Sequence, residues 1–304
     1  MNNPFPSAPD LASVELTPDS PAAIKAMVRE KYAVIATQSK GDNEASCCGA
    51  TSAWCGPDGE GQDYTVFSED YAHLAGYDAG ADLGLGCGLP TAFAHIKAGD
   101  TVVDLGSGAG NDCFVARAET GETGRVIGVD FTPAMIVKAR ENATRLGYGN
   151  VEFREGEIEN LPLGKGVADV VVSNCVLNLV PDKQAAFNEV YRVLKPGGHF
   201  SISDVVTKGA LPPHLKKAAE MYAGCVSGGI TMDEYLEVVE KAGFTDVKVQ
   251  KMRAVAMPLD TLKTYLPEDQ AKAFGTGEEG IYSVTVFARK PDTDACCKPG
   301  TGCC

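Results

Sequence analysis

The chain has 304 residues, 41 acidic and 27 basic side chains, and a formal net charge of −14 at pH 7. That length builds a core without disulfides, as one large domain or two small ones, and the acidic balance argues against nucleic acid and anionic membranes as partners while suiting a neutral or cationic small molecule. No stretch approaches the roughly 20 apolar residues of a membrane span, Asp10, Glu15 and Asp19 interrupt any N-terminal leader, and the expected location is cytoplasmic.

In chain order, residues 1–70 read as an arm: Pro4, Pro6, Pro9, Pro18 and Pro21, one amphipathic helix near 21–36, then a segment carrying Cys47, Cys48 and Cys55. The stretch "LGLGCGLPTA" sets Cys87 between glycines, which implies a close backbone approach. From residue 101 the runs TVVDL, RVIGVD, VEFRE, ADVVVSN and HFSISDVV alternate with helical stretches. This alternation predicts an α/β fold with parallel strands and crossover helices. Thr132 before Pro133 predicts a helix start and Gly147 its end; Thr231 to Glu234 predicts a capping box ahead of a helix with Tyr235, Val238, Val239 and Ala242 on one face. TDVKVQ and IYSVTVFARK alternate with period two and predict a closing antiparallel pair, separated by the helix-like LDTLKTYL and EDQAKAF.

After the first predicted strand comes "DLGSGAGND", with Asp104, Gly106, Gly108 and Gly110 at every second position. Such a strand-to-helix turn lets backbone N–H groups approach a nucleotide-like ligand. Position 111 is Asn, so the stretch is not the G-x-G-x-x-G dinucleotide fingerprint. Asp130 ends the second strand, where its carboxylate can accept both hydroxyls of a ribose. Together these features resemble the class I S-adenosylmethionine-dependent methyltransferases. The resemblance implies a Rossmann-like, mostly parallel sheet with an antiparallel last strand, with Gly106 to Gly110 around the methionine portion, Asp130 at the ribose, and Glu157 and Ile158 of "GEIENLP" at the adenine. Asp104, Ser107, Phe131 and Asn174 complete its expected cofactor contacts.

Eleven cysteines in a reducing compartment point to metal, metalloid or redox chemistry rather than a disulfide framework. Cys175 ends the fourth predicted strand, and ligands of open α/β sheets bind outside the carboxyl ends of the strands. A thiol there suits a soft acceptor atom. "LGLGCGLPTA", "DLGSGAGNDCF", "SNCVLNLVPDK" and "YAGCVSGG" in this order resemble the arsenite S-adenosylmethionine methyltransferases, from about residue 25 to about 255. The resemblance implies that Cys87, Cys175 and Cys225 bind trivalent arsenic. It also implies that an N-terminal cysteine enters a thiol/disulfide cycle reset by an external reductant of the thioredoxin or glutathione type. Cys47 and Cys48 are adjacent and Cys55 follows, so that assignment stays open.

The implied organisation is an arm (1–70), a methyltransferase domain (71–290) with an arsenic-binding insertion at about 207–230 and a helical insertion at about 253–280, and a cysteine-rich tail (291–304) with Cys296, Cys297, Cys303 and Cys304. Two other readings remain at this level. One is a methyltransferase of a small organic acceptor such as a quinone or sterol, with incidental cysteines; the other is a non-catalytic metalloid-sequestering protein. Cys113, inside the predicted helix after the glycine turn, reads as a packing residue. His73, His95, His199 and His214 show no ligand spacing and read as surface or structural, with His73 or His95 candidates to assist near the pocket; Asp204, ending the fifth predicted strand, reads either as bordering the site or as only turning the chain, with the turn preferred.

Overall fold

The computed structural model describes residues 20–45, 69–209, 228–255, 259, 262, 263, 266–273 and 279–292. Cys47, Cys48, Cys55, Cys225 and the tail cysteines lie outside these residues, as does most of the insertion expected at about 207–230. Seven strands form one sheet in the order β3-β2-β1-β4-β5-β7-β6. Five run parallel: β1 (Thr101–Leu105), β2 (Arg125–Asp130), β3 (Val151–Glu155), β4 (Ala168–Asn174) and β5 (Leu194–Lys208). The last strand, β7 (Gly280–Arg289), inserts antiparallel between β5 and β6 (Thr245–Ala254).

The central strands are covered on both faces, which is why β1, β2 and β4 read as nearly unbroken apolar runs, while the edge strands β3 and β6 carry charged, partly exposed residues. Side chains alternate along β1, so Val103 and Leu105 join one core with Phe187, Phe200, Tyr235 and Val239, while Val102 joins the other with Phe114, Met135, Ile136 and Ala139. The first core is closed by α5 (Lys183–Val193) and α6 (Met232–Lys241), the second by α3 (Asn111–Thr120) and α4 (Pro133–Leu146). Full burial of each such side chain contributes about 1.5–3 kcal/mol. Strand order reverses direction between β1 and β4, and the crevice above that switch point is where an open sheet of this kind takes its ligand.

The predicted arm helix is α1 (Pro21–Ile35), followed by the short α2 (Lys40–Ala45). Tyr32, Ile35 and Ala36 pack on the second core, and Lys138 Nζ donates to Ala36 O at 2.8 Å, fastening α1 across α4. The capping box is present: the Glu234 N–H donates to Thr231 Oγ1 at 3.3 Å, and the Thr231 N–H donates to Glu234 Oε2 at 2.9 Å. A further short helix, α7 (Glu268–Ala273), falls in the expected helical insertion.

Thr132 stands at the N-cap of α4 with proline after it, as expected; its hydroxyl makes no cap bond, and its N–H donates to Asp130 Oδ1 at 2.8 Å. One expectation changes. Asp204 does not turn the chain: β5 continues to Lys208, with Asp204 opposite Val284 of β7 and fully buried. One of its carboxylate oxygens has no hydrogen-bond partner, and burial pushes its pKa up to about 7.

Candidate active site

The glycine turn is built by backbone conformation. Gly106, Gly108 and Gly110 have φ of 68°, 50° and 101°, a region that side chains disfavour. A Cβ on Gly106 would sit 2.4 Å from Val176, whereas one on Gly108 would meet nothing within 4 Å. Gly106 therefore lets the turn press against the loop after β4, and Gly108 leaves space for a ligand. Asp130 holds the turn from the tip of β2: its Oδ2 accepts the Gly108 N–H at 3.0 Å, while Oδ1 takes Thr132. Burial raises its pKa.

A cavity opens above this turn, lined by Gly106, Ser107, Gly108, Asp130, Phe131, Glu157, Ile158, Asn174 and Cys175 among others. Two expected cofactor residues do not reach it. Asp104 is 2% exposed beneath the turn, where it accepts the Cys113 thiol at 3.2 Å and burial drives its pKa well up. Gly110 caps α3, and a Cβ there would strike Phe114 and Phe153. Ser107 Oγ is buried without a partner at the cavity wall, a hydroxyl left over for a ligand. The packing reading of Cys113 holds, with the added bond to Asp104.

Sequence reasoning missed the other walls. From α1 come Lys25, Val28 and Tyr32, and Lys25 Nζ pairs with Glu157 at 2.7 Å and Glu159 at 3.1 Å, so the arm helix closes one side. Tyr71 and Asp112 also line the cavity. No pattern marks Tyr71, but an aspartate in the first helical turn after a glycine loop is a legible signal for Asp112. His73 and His95 do not line the cavity; both are exposed, and the half-buried His199 lies against Phe287 with Nε2 2.6 Å from Ala94 O.

Asn174 differs most from its expected role. Its Oδ1 accepts the N–H groups of Cys87 at 3.0 Å and Gly88 at 3.3 Å, and its Nδ2 donates to Gly88 O at 2.8 Å and Asp112 Oδ2 at 3.2 Å. Nδ2 also bonds the Tyr71 hydroxyl. The amide is thus committed to the Cys87 loop and its neighbours rather than to a cofactor. The Ser283 hydroxyl donates to Cys87 O from β7, and a Cβ on Gly88 would stand 2.6 Å from Ser203 Oγ, so the loop lies directly on the sheet.

Cys175, the next residue, takes φ of 61°, an uncommon conformation for a non-glycine residue that tends to persist at functional sites. Its N–H donates to Ser203 O at 2.8 Å, which fixes the turn as β4 ends. Cys87 and Cys175 are both buried, and Asn174 joins the backbone of the first to the strand end that carries the second.

Residues 96–243 match the description of a methyltransferase domain. The arsenite methyltransferase of Halobacterium salinarum is 43% identical over 282 residues, covering 90% of this chain and 68% of that protein. The chain belongs to the arsenite methyltransferase family. A second arsenite methyltransferase, from Aquipseudomonas alcaligenes, is 34% identical over 56% of this chain, which spans 48% of that protein. Among solved structures, the arsenic (III) S-adenosylmethionine methyltransferase of Chlamydomonas reinhardtii superposes with a TM-score of 0.57 at 35% identity, over 71% of this chain and 68% of that one. Fold and family agree: this arsenite methyltransferase family member carries the glycine turn and Cys175 at the carboxyl ends of the central strands β1 and β4, with the Cys87 loop bonded to Asn174 beside them. Among the described residues no group of three His, Cys, Asp or Glu side chains is arranged to hold a metal ion. Cys225, the third expected thiol, lies outside them, and the described chain resumes at Gly228, against Asn178 O.

Proposed function

We propose that this protein transfers a methyl group from S-adenosylmethionine to trivalent arsenic held by cysteine thiols. The observation that carries the reading is the Asn174 clamp: the residue before Cys175 holds the backbone of Cys87, so two cysteines remote in sequence are joined through one amide, and Cys175 lines a cavity floored by the glycine turn, with Cys87 held behind its wall. The residues fit an adenosyl ligand, with open space over Gly108, an unpartnered Ser107 hydroxyl, and the Asp130 carboxylate, Glu157 and Ile158 along the same wall. Bound there, the sulfonium supplies an electrophilic methyl.

The protein's own residues do the rest by placement. Arsenous acid is neutral near pH 7, so the acidic chain does not repel it. Cys87, Cys175 and Cys225 would each exchange a thiol proton and an arsenic-bound hydroxide for an As–S bond and water. Three thiolates leave the arsenic lone pair uncovered, and alignment with the methyl supplies most of the acceleration. Bond formation by that pair takes arsenic formally to the pentavalent state, and two thiols return the two electrons by closing a disulfide. One of Cys47, Cys48 or Cys55 in the arm would serve as partner to Cys87, and a thiol reductant of the thioredoxin or glutathione type would reopen the disulfide by exchange. A reducing cytosol provides that reductant. The arm, central domain and tail would then be a redox arm, a methyltransferase domain and a segment outside the chemistry.

The test is incubation of the purified protein with S-adenosylmethionine, arsenite and a thiol reductant, followed by arsenic speciation. Methylated arsenic is expected; its absence with the cofactor bound would favour sequestration.

A further inference from the structure

Asp112 stands in the cavity wall at the first turn of α3, half-buried. Its carboxylate oxygens each lie 3.0 Å from the Tyr71 hydroxyl, and Oδ2 lies 3.2 Å from Asn174 Nδ2. Among the described residues no Lys, Arg or His forms an ion pair with it. The charges around it are of its own sign: Asp82 and Asp104 both interact with it unfavourably, and Asp130, at the tip of β2, lines the same cavity. The single lining lysine, Lys25, is already committed to Glu157 and Glu159. The N-terminal end of α3 offsets part of this, but a carboxylate facing a cavity without a cation is a half-made ion pair.

The donors that hold Asp112 are shared. Tyr71 has one hydroxyl hydrogen and Asn174 Nδ2 has two. Those three hydrogens face the Asp112 carboxylate, the Tyr71 oxygen and Gly88 O, which is 3.1 Å from Tyr71 and 2.8 Å from Asn174. Tyr71 cannot donate to Asp112 and Gly88 at once. The charge on Asp112 therefore competes with the Cys87–Gly88 loop for the same hydrogens, and a cation arriving at Asp112 releases them to the loop.

We propose that Asp112 is the counter-charge for a cationic centre of the cofactor, and that through Tyr71 and Asn174 its pairing tightens the Cys87 loop, so that cofactor and trivalent arsenic bind with positive coupling. This rests on the methyltransferase reading and adds to it a charge-recognition residue and an order of assembly. Tyr71 and Asn174 act as positioning residues. The cation is either the ammonium or the sulfonium of the methionine portion; both are met by the same chemistry.

The test is calorimetry on the full chain and its Asp112→Asn and Tyr71→Phe variants. Asp112→Asn keeps size and one acceptor oxygen while removing charge. It is expected to weaken S-adenosylmethionine by about 10- to 100-fold, the range for a charged hydrogen bond. An equal loss for S-adenosylhomocysteine identifies the ammonium; a loss confined to S-adenosylmethionine and to sinefungin, which carries an amine near the sulfonium position, identifies the sulfonium. 5′-Methylthioadenosine lacks both centres and should bind all variants alike. The second readout is arsenite affinity with and without saturating sinefungin, which cannot turn over. Wild type should gain about 5-fold or more, the lower range of allosteric coupling, and both variants should lose that gain. Tyr71→Phe should lose it while keeping most of its cofactor affinity. Unchanged S-adenosylmethionine affinity in Asp112→Asn, or an equal loss for 5′-methylthioadenosine, overturns the counter-charge. Equal arsenite affinity with and without sinefungin in the wild type overturns the coupling. None of these outcomes depends on turnover, so a failure of methylation itself would be seen separately.

Discussion

Substituting Gly88 by alanine should disable methylation through geometry alone. A Cβ at that position would lie 2.6 Å from Ser203 Oγ and 2.8 Å from Ser203 Cβ, where ordinary contact begins at 3.4 Å. The shortfall is about 0.6–0.8 Å. Ser203 sits in β5 between β4 and β7, paired on both sides and hydrogen-bonded to Thr285 at 2.9 Å, so the sheet does not yield. The loop must lift instead, taking the Cys87 backbone off Asn174 and Ser283. A displacement near 1 Å in a reacting group costs about 10²-fold in rate, and overpacking costs about 1–3 kcal/mol of stability. Arsenite methylation by Gly88→Ala should therefore fall by about two orders of magnitude, with cofactor affinity reduced far less. Ser203→Gly removes both clashing atoms, so the double variant should recover most of the rate. Full activity of Gly88→Ala at an unchanged melting temperature would refute the argument, as would failure of Ser203→Gly to rescue a variant that still folds.

Asp130→Ala should weaken S-adenosylmethionine by about 1.5–3 kcal/mol in calorimetry, since it removes a charged acceptor and the tie to Gly108; equal affinity would end the ribose assignment. Asp204, pushed up to about 7 by burial, holds its proton in the fold at pH values where the unfolded chain has released it. Stability thus falls as pH rises from about 4 to 7, by up to about 4 kcal/mol, and Asp204→Asn should melt increasingly above wild type from pH 5 to pH 8; a constant gap would be contrary evidence. Serine at Cys175 or Cys225 should abolish methylation of both arsenite and monomethylated trivalent arsenic, whereas serine at Cys87, or at Cys47 and Cys48 together, should leave part of the second activity; full activity of Cys175→Ser on either substrate would sink the thiol assignment. Truncation after Asp292 should leave turnover nearly intact, because Lys290, the last anchoring side chain among the described residues, keeps its bonds to Tyr191 O and Leu194 O at 2.8 Å; a large loss would bring the tail cysteines into the chemistry.

The central strands were legible because burial on both faces leaves little choice but apolar residues, and β1, β2 and β4 fall on TVVDL, RVIGVD and ADVVVSN; the edge strand β3, VEFRE, was legible from its alternation. The glycine turn was legible because three left-handed positions leave few alternatives to glycine. Asp204 misled because an acidic residue normally marks a strand end, and only the pairing with β7 shows the strand running on. Asn174 was read from its place at the end of β4, yet what it bonds lies near residue 87, and no local periodicity records so distant a contact. Lys25 and Tyr71 stayed invisible for the same reason: each reaches the cavity from outside the regular α/β pattern.

The insertion of β7 between β5 and β6 has a consequence for biosynthesis. Nine of its residues are buried, Gly280 to Ala288, and they supply hydrogen bonds to both neighbours. Until the chain beyond residue 279 has been made, β5 and β6 have no central partner and expose unpaired edges, the surfaces on which nascent chains associate. A nascent or prematurely terminated chain would thus hold the cysteine loops and the glycine turn while lacking the strand whose Ser283 fastens Cys87. Such a fragment should aggregate rather than bind arsenic, which makes completion of the sheet a checkpoint on when the thiols become a site.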